Sequence, residues 1–205
     1  MKESFLKVVW RNLFTLILLN LAFIASSVLV ITIPAATAGL YSGAVCCLSG
    51  KKNALAEYWT AFRTGIISAL PIGIVFGALI AAAAYGCFFY RMNYSGQFIL
   101  LPISIFCMIA LYLCYAAMIY AFTMLAFVEL PSRKLIKNAF LLLLVDGKNL
   151  FTWPALSAAI LLLSILLFPR SLAIVLLLSF SMAAILGVKG AMPLIEQYIT
   201  EDDHE

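Results

Sequence analysis

The chain has 205 residues, of which 65% are apolar and 11% charged, and its formal net charge is +4. Soluble domains run at about 45–50% apolar and about 25% charged, so the excess is too large for one packed core. It excludes a soluble enzyme, a secreted disulfide scaffold and a nucleic-acid binder. The charges are also bunched. Uncharged stretches of 39, 27, 37, 21 and 18 residues separate Arg11 from Lys51, Arg63 from Arg91, Arg91 from Glu129, Lys148 from Arg170 and Arg170 from Lys189. A helix needs about 20 apolar residues to cross a hydrocarbon layer ~30 Å thick. The pattern is that of an all-α, polytopic transmembrane bundle forming a single domain.

The first expected span covers residues 12–33, behind a basic flank of Lys2, Lys7 and Arg11. Ala36-Thr37-Ala38 has the look of a signal cleavage site. The apolar run before it, however, is longer than the ~7–15 residues of a signal h-region, so a retained helix is expected. Pro34 then interrupts, and residues 34–50 read either as a thin sixth crossing or as a short re-entrant helix covered by protein. Residues 51–63 form a polar loop containing Lys51, Lys52, Glu57 and Arg63. Spans over 65–90 and 98–128 follow, joined by a turn at Asn93, Ser95 and Gly96. A second polar region occupies 129–149, and two more spans, 151–168 and 171–188, hinge at Pro169-Arg170. The expectation is therefore five long spans plus the short segment 34–50. The acidic tail 196–205, with Glu201, Asp202, Asp203 and Glu205, is expected to be solvated and mobile.

Cations record orientation in membrane proteins. The segments 51–63, 129–149 and the C-terminal flank carry eight Lys and Arg between them, against one each, Arg91 and Arg170, in the intervening turns. This places the polar segments and the C-terminus in the cytoplasm, and the three N-terminal cations favour the same side for the N-terminus. Trp10, Trp59, Tyr90, Tyr94, Trp153 and Tyr198 fall near expected span ends, as an interfacial aromatic belt requires. No single basic loop holds the four to eight packed cations of a dedicated anionic-lipid site.

Residues 131–146 carry their own signal. Pro131-Ser132 suits a helix start with Ser132 as N-cap. Arg133, Lys134, Lys137 and Asn138 then share one face, opposite Leu135, Ile136, Phe140 and Leu141. An interfacial helix has this pattern. It serves either as a connector on the headgroups or as a docking surface for a partner.

Candidate chemistry is sparse. A charge in the bilayer centre costs about 2.5–3.5 kcal/mol or more and marks function when it occurs. None is expected deep in a span, since Glu129, Asp146 and Arg170 all lie at segment ends. There is no HExxH, GxSxG or P-loop, and the one histidine, His204, is in the tail. Cys46, Cys47, Cys87, Cys107 and Cys114 lack metal-site spacing and read as small core hydrophobes. The expectation is a protein without catalysis, metal or cofactor. Gly39-xxx-Gly43 and Gly73-xxx-Gly77 allow close helix approach, within the chain by default. Asn20, Tyr85, Tyr112 and Tyr115 are the sizeable polar groups placed at depth. They suit either hydrogen bonding between helices or an aromatic-lined groove for a sugar or lipid.

Asn20-Leu21, the run Thr32-Ile33-Pro34-Ala35-Ala36-Thr37-Ala38-Gly39-Leu40-Tyr41, the aromatic box Tyr58-Trp59-Thr60-Ala61-Phe62 and Lys137-Asn138-Ala139 together resemble the YesL-like family of bacterial integral membrane proteins. The family's first motif carries Gly-Pro where this chain has Pro34-Ala35, and its aromatic box opens on Phe where this chain has Tyr58. The resemblance implies a bacterial inner-membrane protein that assists carbohydrate uptake, with a transporter subunit as partner and no established catalytic residues. The alternative from the residues is a small uncharged-solute transporter or channel in its own right.

Overall fold

The computed structural model describes residues 5–93, 100–128, 130–147, 151–170 and 172–198. The candidate positions Lys2, Tyr94, Ser95, Gly96, Glu129, Lys148 and His204, and the tail beyond Tyr198, lie outside that set. Among the described residues the chain is helical and contains no strand.

Helices α1 (Phe5–Arg11) and α2 (Leu13–Ser26) meet at a bend of 69°. Asn12 sits at the bend and donates its side-chain amide to the Val8 carbonyl at 2.9 Å, the kind of local bond that competes with a continuing helix. A 3₁₀ turn, Val30–Thr32, leads into α3 (Ile33–Leu48). Pro34 lies in the first turn of α3, where its missing N–H would have no helical partner anyway. Proline therefore starts this helix instead of interrupting a span. Gly50 and Asn53, both at positive φ, reverse the chain into α4 (Ala54–Thr64), so the expected polar loop is mostly helix.

α4 folds back along α3. A Cβ on Gly39 would lie 2.9 Å from the Tyr58 carbonyl oxygen, and one on Gly43 would lie 2.7 Å from Leu19 of α2. The Gly39-xxx-Gly43 pair thus seats two neighbours of the same chain. Gly73 meets Pro34 just as closely, whereas Gly77 faces nothing within 4 Å.

α5 (Ile66–Met92) and α6 (Leu100–Phe127) form a long antiparallel hairpin, with Gly86 against Cys107 and Ser104 donating to the Cys87 carbonyl at 3.4 Å. Their 27 and 28 residues correspond to about 40 Å of helix. α7 (Ser132–Val145) follows, then α8 (Trp153–Leu166) and α9 (Leu172–Tyr198), the last containing a π-helical turn at Val175–Ser179. α8 and α9 are antiparallel: Ser157 donates to the Ala183 carbonyl at 2.7 Å and Ser164 bonds Ser179 at 2.8 Å.

Among the described residues, four helical stretches are long and apolar enough to cross a membrane, namely Val30–Leu48, α5, α6 and Leu172–Tyr198; the bent α1–α2 pair makes five if it counts as one. This corrects the expected tally. Span 12–33 ends at Ser26, and the expected span 151–168 yields only the 14-residue α8, about 21 Å long. The segment taken as a thin sixth is, with its 3₁₀ lead-in, a full 19 residues. α9 also runs on past the expected end at residue 188.

The core lies where α3, the second half of α6 and α9 meet. Ala36, Ala38, Tyr41, Ala116, Ala117, Tyr120, Ala184, Ile185 and Val188 are buried there, and the many small side chains let the backbones approach.

Candidate functional site

The π turn of α9 is held by one side chain. Asn20 of α2 has no exposed surface. Its Nδ2 donates to the carbonyls of Val175 and Leu176 at 2.9 and 2.7 Å, and its Oδ1 accepts from the N–H groups of Phe180 and Ser181 at 2.9 and 3.0 Å. Each carbonyl is paired, through the amide, with the N–H five residues on. The side chain is inserted into the hydrogen-bond ladder, a recognised cause of local helix distortion. All four bonding positions of the amide are used. Asn20 is a structural clamp between α2 and α9.

Tyr112 and Tyr115, both half-buried, belong to a polar cluster that sequence reasoning found only in part. Ser157 spends its one proton on the Ala183 carbonyl, so the Tyr115 hydroxyl, 2.7 Å away, is the donor to Ser157. The phenol groups of Tyr41, Tyr115, Tyr112 and Tyr120 lie within electrostatic range of one another in that order. The series ends on Asp146, whose carboxylate accepts a hydrogen bond from Tyr120. Asp146 is only 4% exposed. It was expected at a segment end, and it does cap α7, yet its partner Tyr120 lies seven residues inside α6. A buried carboxylate needs hydrogen-bond donors, and Tyr120 supplies one. Of the other candidates, Tyr85 stacks on Phe89 at 6.0 Å and is exposed, so the four expected groove residues do not come together.

α7 accounts for the burial of Asp146. Ser132 does not cap the helix: Pro131 holds the N-cap position, and the Ser132 hydroxyl donates to the Ser68 carbonyl of α5 at 2.9 Å. Phe140 stacks on Phe76 at 5.6 Å. These contacts are eight residues apart on both helices, so α7 rises beside α5 for about 12 Å. A helix lying flat on headgroups would not do this. Its buried face is Leu135, Ala139, Leu142 and Leu143, while Phe140 and Leu141, expected opposite the basic face, are exposed. Arg133, Lys134 and Lys137 are exposed and Asn138 is half-buried.

The two expected contact segments adjoin. A cavity of about 560 Å³ is lined by Ser42 of α3, Glu57, Thr60 and Thr64 of α4, Ser68 of α5, and residues 125–128 and Leu130 at the end of α6. Ser132, bonded to the Ser68 backbone, brings the first turn of α7 to its edge. On the opposite side of α4, Tyr58 is fully buried and shares a hydrogen bond with Ser26 at the end of α2. Burial pushes the Tyr58 phenol above its ordinary range, against a smaller opposite pull from Ser26.

The five cysteines are unpaired, with Cys46 and Cys47 buried, and no group of metal-binding residues occurs among the described residues. Set against family models, curated proteins and solved structures, the chain matches none of them.

Proposed function

We propose that this chain is a non-catalytic, multi-pass protein of the bacterial inner membrane that assists a carbohydrate transporter, with its C-terminus, α4 and the first turns of α7 on the cytoplasmic side. The transporter link comes from the YesL-like motifs. The observation that carries the docking role is the concave surface where α4, the start of α5 and the basic first turns of α7 adjoin. Arg133, Lys134 and Lys137, in the turns of α7 that follow Ser132, are exposed, a charge pattern that fits an acidic cytoplasmic segment of a transporter subunit. Co-purification from native membranes is expected to recover such a subunit. Changing Arg133, Lys134 and Lys137 together to Glu is expected to release it, and its retention would refute this surface.

A second reading, an uncharged-solute transporter in its own right, is favoured by the polar series from Tyr41 to Asp146. Uptake of an oligosaccharide by proteoliposomes holding only this protein, abolished by Asp146→Asn, would support that reading over the accessory role. No flux across a panel of oligosaccharides would count against it.

A further inference from the structure

No single loop of the sequence gathers enough cations for a lipid site, but the fold collects them from three separate segments. The reversal between α3 and α4 lies against the α1–α2 bend. One cavity there, of about 560 Å³, is lined by Arg11, Lys51, Lys52, Asn12, Thr15 and Asn53 among others. A second, of about 330 Å³, shares Arg11 and Gly50 with the first and adds Lys189 from α9. Four cations from positions far apart in the chain therefore face one connected recess. Neither lining contains a carboxylate side chain; the acid of α4, Glu57, lines the cavity on the other side of the hairpin. The recess offers donors suited to an anion: guanidinium, ammonium, amide and hydroxyl groups.

The surroundings decide which anion. The recess sits at the ends of apolar helices, next to the α1–α2 unit, which exposes Leu6 and Trp10 on α1 and Phe14 beyond the bend on α2. These side chains are 75%, 79% and 73% exposed. A cationic recess flanked by an exposed apolar stripe matches an amphiphile, with phosphate in the recess and acyl chain along the stripe. Basic pockets between membrane helices bind phospholipid headgroups on these physical grounds. We infer that Arg11, Lys51, Lys52 and Lys189 form a binding site for the phosphate headgroup of an anionic phospholipid, with Leu6, Trp10 and Phe14 against its chains. This site is separate from the α4–α7 docking surface.

The test uses the full-length protein in a mild detergent, titrated with phosphatidylglycerol and read by native mass spectrometry. The triple change Lys51→Gln, Lys52→Gln, Lys189→Gln is expected to weaken lipid retention about tenfold or more, each cation near the surface contributing a factor of several. The control, Arg133→Gln, Lys134→Gln, Lys137→Gln, removes as many charges elsewhere and is expected to retain lipid as the unaltered chain does. Equal losses in both variants would mean general electrostatic attraction and would overturn the site. Should Lys189→Gln disturb folding, as judged by the melting temperature without lipid, Lys51→Gln, Lys52→Gln alone touches only exposed side chains and is expected to lower retention severalfold. No loss in that variant would also overturn the site. Competition by inorganic phosphate distinguishes the sources: weak or no displacement at millimolar concentration is expected for a lipid site, and complete displacement would overturn the lipid assignment.

Discussion

The two halves of the α5–α6 hairpin are equally apolar and differently employed. Toward the polar segments, Ala69, Ile72 and Phe76 on α5 and most of Ala116 to Met124 on α6 are packed inside the bundle, while Ile67 and Ile74 of α5 stay exposed. The other half exposes Leu79, Phe88, Phe89 and Met92 on one helix and Leu101, Ile105, Phe106, Met108 and Ile109 on the other. Water would penalise that second surface at roughly 25 cal/mol per Å², whereas lipid tails are as apolar as the side chains themselves. In the packed half, by contrast, association cannot be driven by expelling lipid, so it rests on small residues and hydrogen bonds. Composition alone does not distinguish the two halves; the placement of small and polar side chains does.

Four substitutions sharpen the contrast. Ile109→Lys puts a charge on the bare half and is expected to raise the cost of membrane insertion by about 2.5–3.5 kcal/mol, measured with a glycosylation-mapping reporter. Asn20→Leu removes four hydrogen bonds to the α9 π turn. With bonds between membrane helices averaging about 0.6 kcal/mol each, the loss should be about 2 kcal/mol, read from reversible unfolding in mixed micelles. Gly39→Ala drives a methyl onto the Tyr58 carbonyl and should cost about 1 kcal/mol, the lower end of overpacking penalties. Gly77→Ala, with open space around it, should be neutral in the same assay.

The smallest effect concerns alkaline pH. Burial raises the Tyr58 phenol, so the fold favours its protonated form. That contribution is complete below the unfolded value of about 10 and is lost as pH rises through the higher folded value. Tyr58→Phe should flatten the alkaline decline in stability, and an unchanged slope would show that Tyr58 does not titrate with unfolding.

How much of this was legible beforehand depended on the distance between partners. α5 and α6 follow directly from uninterrupted apolar runs, and their ends fall within two residues of expectation. The break at Asn12 falls on the polar pair Arg11-Asn12, where the first span was expected to start, whereas the stop at Ser26 was hidden because the apolar run resumes directly after Ser26-Ser27. α4 read as a loop because its helix is short and carries charge. Asn20 stood out as an amide at depth, but its partners are 155 to 161 residues away, so its role as a clamp could not be read. Asp146 was judged by its neighbours in the chain, and only the rise of α7 beside α5 makes it a buried acid. Tyr112 and Tyr115 were found by their shared helix face. Tyr41 and Tyr120 were passed over, although Tyr120 lies eight positions beyond Tyr112 on the same helix and was open to the same reasoning.

The central claim is that the outer half of the α5–α6 hairpin is solvated by lipid. The direct measurement is fluorescence of a single tryptophan at Phe106→Trp, with Trp10, Trp59 and Trp153 changed to Phe, in vesicles of lipid brominated along the acyl chain. Strong quenching by the brominated chains, with none by aqueous iodide, is the result expected. Quenching by iodide and indifference to the brominated lipid would contradict the account.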